Sequence, residues 1–131
     1  MPSPPHIPFL LHTLIELPAS LNFFLNPSSQ FAPSAPQAHA VIRQYALLLF
    51  SSSLISLIFV LRPVDGTSRN VAGALGVYHF GPLVRAGLRV WGGDRGGEKK
   101  GIVGGPWVHL VVHAVCGVEL MSVFLGGERR S

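Results

Sequence analysis

The chain has 131 residues, 48% of them hydrophobic and only 12% charged, about half the charge of an average soluble domain. A protein this small has much surface for its volume and needs polar side chains to cover it in water, so the composition excludes an ordinary soluble globule and points to lipid as the solvent. The net charge of +4 comes from Arg and Lys residues that sit mostly at the ends of apolar runs, with no basic stripe interleaved with aromatics. That placement excludes a nucleic-acid surface and suits flanks that meet anionic headgroups.

Four apolar segments follow in order. The first runs from about His6 to Asn26 and closes in "NPSSQFAPSAPQ", a loop dense in Pro and Ser. It carries Glu16 in mid-run and has no basic leader before it, so a cleaved signal is not expected. The second, about Ala38 to Leu61, contains "YALLLFSSSLISLIFVL", an uncharged stretch that Arg62 and Pro63 end. Its serines are too few to make a water-facing side, as a soluble amphipathic helix requires. The third, about Val71 to Trp91, follows the polar turn "VDGTSRN" and is interrupted by Arg85 and Arg89. After the glycine-rich charged loop 92–103, the fourth runs from about Gly104 to Leu125 and ends in "GGERRS".

A helix needs about 20 mainly apolar residues to cross the hydrocarbon. Segments one, two and four meet that length outright, and segment three meets it if Arg85 snorkels or faces protein. The expected fold is therefore all-α: a single integral membrane domain, a four-helix transmembrane bundle running up-down-up-down with short loops. The Lys and Arg on the loops lean towards a cytoplasmic side for the first and third loops.

Charged and ionisable groups inside such spans are costly and normally face protein. Here they are His12, Glu16, Arg43, His79, Arg85, His109, His113 and Glu119. Counted at ~1.5 Å per residue, Arg43, Arg85 and His109 lie shallow, whereas Glu16, His113, His79, His12 and Glu119 form a layer near the midplane. His12 and Glu16, four residues apart, project from one helix face, expected to point into the bundle. Pro18 frees the carbonyl four residues before it, which a polar interior helps to satisfy. Glu16, Arg43 and Arg85 are candidates for a structural polar network, with Arg43 reaching Glu16 by snorkelling. His12, Glu16, His79, His113 and Glu119 are the candidates for acid–base chemistry.

His109 and His113 share a face of the fourth helix, with Cys116 near it, and two imidazoles so spaced suit a transition metal. The HExxH pattern is absent and a third ligand has to come from another helix, so no metal and no cofactor is expected. The pairs Ala72/Gly76 and Ser52/Ser56 read as small residues that let helices approach closely, and Gly81–Pro82 as a kink near His79. Trp91 and Trp107 are placed to meet one membrane interface. "WGGDRGGEKKGIVGG" has neither the GxxxxGK[ST] spacing nor a preceding strand, which rejects a phosphate loop. Cys116 is the one cysteine, so no intrachain disulfide forms.

The stretches "LIELPASLNFFLNPSSQ", "AHAVIRQYALLLFSSSLISLIFVLRPVDGTSRNVAGALGVYHFGPLVRA" and "HLVVHAVC" resemble a group of small fungal four-span membrane proteins that carries no assigned activity. In architecture alone the chain is similar to DoxX-like membrane proteins. In "HTLIE", by His12 and Glu16 only, it resembles emopamil-binding-type sterol isomerases.

Three functions follow. The first is a membrane subunit, adaptor or lipid-binding helper whose buried His, Glu and Arg hold the bundle together. The second is a membrane-embedded lipid- or sterol-modifying enzyme, isomerase-like, with His12 and Glu16 as acid and base, since buried His and Glu can be tuned towards neutrality. The third is proton-coupled transport. The expected partners are membrane lipids and other membrane proteins.

Overall fold

A computed structural model of the protein describes residues 6–30, 36–92 and 105–126. The described residues form four α-helices and no strand: α1 (Ile7–Leu25), α2 (Pro36–Val60), α3 (Gly66–Trp91) and α4 (Pro106–Leu125), with a single 3₁₀ turn at Pro27–Ser29. Of these, α1, α2 and α4 are long and apolar enough to cross a membrane. The third helix has 26 residues, about 39 Å of rise, but glycines, His79, Pro82 and Arg85 dilute its apolar run.

The helix ends follow local chemistry. Pro63 disfavours helix at the residue before it, and α2 ends at Val60. Pro106 opens α4 from its first turn, where its missing N–H costs nothing, and the Gly126 N–H closes the helix on the Ser122 carbonyl at 2.8 Å. The start of α3 departs from the sequence reading, which put residues 66–70 in a turn. Asp65 caps the helix instead: its Oδ1 accepts from the Ser68 N–H at 2.8 Å, and the Ser68 Oγ stands 2.7 Å from the Asp65 N–H. This reciprocal pair satisfies two otherwise orphaned backbone donors and draws five more residues into the helix. Both α1 and α3 continue through their internal prolines, Pro18 and Pro82. All of the glycine-rich loop 92–103 beyond Gly92, together with Gly104, lies outside the described residues.

The chain divides into two compact units. One, Phe9–Arg62, holds α2 and nearly all of α1; the other contains α3 and α4. In the first, the Ser56 Oγ donates to the Phe9 carbonyl at 2.7 Å, and the Thr13 Oγ1 to the Phe9 and Ser53 carbonyls at 3.0 and 3.4 Å. Phe9 stacks on Phe59, and Phe23 on Tyr45. Low numbers on α1 meet high numbers on α2, so the pair is antiparallel.

In the second unit α3 and α4 are also antiparallel and close. A Cβ built on Gly73 would lie 2.8 Å from the Phe124 ring, and one on Gly76 would lie 2.9 Å from the Met121 Sδ. Only small residues allow backbones this near. Ala72, the other half of the small-residue pair, is fully buried.

Candidate functional site

Among the described residues the buried polar side chains gather on α1 and α2 in one unit and at His79 and His113 in the other, with Ser68 apart in the cap of α3. On α1, His12, Glu16 and Ser20 recur every four residues, with Thr13 three before Glu16, and all are buried. That spacing puts them on one stripe of the helix, while Leu14 and Leu21 on the other side are exposed. The His12 Nε2 lies 3.3 Å from the Ser52 Oγ. Ser52 donates its own proton to the Leu49 carbonyl at 2.8 Å, which leaves its oxygen to accept. A neutral His12 then carries its proton on Nε2. Glu16 sits one turn further along, 2% exposed.

The arginines grouped with Glu16 in the sequence are both exposed. The Arg43 Nε donates to the Phe24 carbonyl at 3.3 Å. That carbonyl belongs to the last turn of α1, where acceptors lack an intrahelical partner and the helix dipole favours a cation.

In the second unit, His79 on α3 and His113 on α4 are 1% and 8% exposed, and their Nδ1 atoms are 2.9 Å apart. One ring must present Nδ1–H and the other an Nδ1 lone pair, so the two neutral imidazoles are opposite tautomers. The ring of His109, half-buried, stacks on His113 with centroids 6.2 Å apart and planes 13° from parallel. Tyr78 meets His79 edge-on at 5.1 Å.

A groove of about 240 Å³ runs beside the pair, lined by Gly76, His79, Leu83, His113, Gly117 and Met121 among others. Its walls are almost wholly apolar. A Cβ on Gly117 would lie 3.4 Å from the His79 Cβ. Cys116 is fully buried. Glu119 is half-buried; its carbonyl accepts from the Ser122 Oγ at 2.7 Å.

Sequence spacing joined His109 to His113 on one helix and missed the bond from His113 to His79 on the next. The signal that predicts it is the pair of glycines, Gly76 one turn before His79 and Gly117 one turn after His113, which mark a close crossing at the depth of both rings. Comparisons with protein-family models, with curated proteins and with solved structures return no match.

Proposed function

We propose that this is a small multi-pass integral membrane protein, its four helices crossing up-down-up-down, that serves as a lipid-binding helper or membrane subunit. One observation carries the reading: side chains are sorted inside out. His12, Glu16, His79 and His113 are buried, while Leu14, Leu48, Val77, Phe80 and Val118 are each more than 60% exposed. In water this sorting is unfavourable twice over, since polar groups lose hydration and apolar surface stays wet. In hydrocarbon it is the favoured order, because polar groups find partners only inside the protein.

The third helix is compatible with crossing. Between Arg69 and Arg85 it has no charged residue, about 22 Å of rise, and arginines at both ends can snorkel to the headgroups. The groove between α3 and α4 supports the lipid-binding part, since it is apolar and lined in part by exposed Phe80 and Val118. The likeness to small fungal four-span membrane proteins belongs with this reading, as does partnership with lipids and other membrane proteins.

The test is native mass spectrometry of the full chain released from its own membrane, comparing wild type with Ala114→Leu, which fills the groove. A defined lipid lost in the variant at matched abundance is the expected result. The same unspecific lipid carry-over in both proteins overturns the lipid-binding reading.

A second reading, a lipid- or sterol-modifying enzyme, draws on His12 and Glu16, two nearly inaccessible ionisable groups one turn apart. It predicts that Glu16→Gln changes the membrane's lipid profile while protein abundance holds. Lower abundance with an unchanged profile assigns the pair a structural role.

A further inference from the structure

We propose that His79 and His113 form a two-imidazole clip for a first-row transition-metal ion, bridging α3 and α4 at the wall of the groove. The site is distinct from the His109/His113 spacing visible in the sequence, and it stands whether or not the groove binds lipid.

The two Nδ1 atoms are 2.9 Å apart. Metal–imidazole bonds are ~2.0–2.1 Å long. Two such bonds to nitrogens 2.9 Å apart enclose an angle of about 90° at the metal, whereas a tetrahedral edge needs about 3.3 Å. The present spacing therefore matches in length the cis edge of a square-planar or octahedral ion such as Cu(II) or Ni(II), and each ring turns by about 45° to aim its lone pair at the ion instead of at the other nitrogen. Zinc requires the rings to open by about 0.4 Å.

The two ligands are already brought together. They come from different helices, both rings are buried, and the approach of the backbones is set by Gly76 and Gly117. The one Nδ1 proton of the metal-free pair is displaced, and both Nδ1 lone pairs then face the ion. Exogenous ligands such as water or chloride complete the coordination. His109 lies parallel to His113, its ring centre 6.2 Å away, and is not a ligand of this clip.

The experiment uses the full chain in detergent, stripped of metal and titrated with Cu(II), read by metal content and electron paramagnetic resonance. The expected result is one copper per chain, with hyperfine structure from two imidazole nitrogens. His79→Ala and His113→Ala should each weaken binding at least about tenfold, since even outer-shell partners are worth that much, while His109→Ala leaves it unchanged. Binding that survives both His79→Ala and His113→Ala is an adventitious ion only and overturns the proposal. So does loss in His109→Ala with retention in His79→Ala, which assigns the ion to one helix face.

If either alanine variant fails to fold, His113→Cys in a Cys116→Ala background replaces the ligand by a thiolate. Added Co(II) should then give a thiolate-to-cobalt charge-transfer band. A folded variant without that band also overturns the clip.

Discussion

At the scale of single residues, the glycines of α3 are not equivalent. Gly73 faces the Phe124 ring at 2.8 Å, whereas Gly87 has only the Leu110 Cδ1 at 3.7 Å, an ordinary contact. Gly73→Ala should therefore overpack the α3–α4 contact and cost about 1–3 kcal/mol. Gly87→Ala should be neutral or stabilise by up to ~1 kcal/mol through helix propensity. Thermal unfolding of the two variants in one detergent checks the contrast, and equal shifts would mean that α3 and α4 do not meet at Gly73. Ser56 makes a comparable case on α2. Its hydroxyl donates to the Phe9 carbonyl at 2.7 Å, so Ser56→Ala should lose about 1 kcal/mol. Phe9 also accepts from the Thr13 Oγ1, and the double variant with Thr13→Ala should lose more than Ser56→Ala alone.

At the scale of elements, hydropathy locates helices but not polar helix starts. The first turn of α3, Gly66–Arg69, contains no strongly apolar residue, yet it is helical because Asp65 and Ser68 cap each other. Asp65→Ala should cost about 1 kcal/mol and speed amide exchange in that first turn. Exchange unchanged at Ser68 and Arg69 would show that the helix start is held by something other than the cap. The arginine at the end of α1 shows the same limit. Depth counting aims Arg43 at Glu16, but its guanidinium meets the Phe24 carbonyl, an acceptor that every helix end offers and that no side-chain pattern reveals.

At the scale of the whole molecule, the arrangement in the membrane turns on α3. Single cysteines at Ser29, Pro63 and Gly105, in a Cys116→Ala background, report the three inter-helix connections. If all four helices cross, Ser29→Cys and Gly105→Cys label from one side of sealed vesicles and Pro63→Cys from the other. Labelling of Pro63→Cys and Gly105→Cys from the same side would mean that α3 lies on the membrane rather than through it. The protein should also resist alkaline extraction, since the exposed Leu, Val and Phe of α1, α2 and α4 are far more stable in hydrocarbon than in water.

The sequence by itself determined the helical class, the bounds of the apolar runs and the kind of solvent they suit. Each of these is local information: an uncharged run has a length, and prolines and glycines mark where it stops. It also identified His12, Glu16, His79 and His113 as polar residues within such runs, all of which are buried. Which ring meets which was decided only by tertiary structure. The bond between His79 and His113 joins residues 34 apart in the chain, and it depends on how closely two backbones approach at Gly76 and Gly117. Spacing along one helix relates His113 to His109 at every turn of an ideal helix, but the distance across to another helix depends on the side chains that both helices omit.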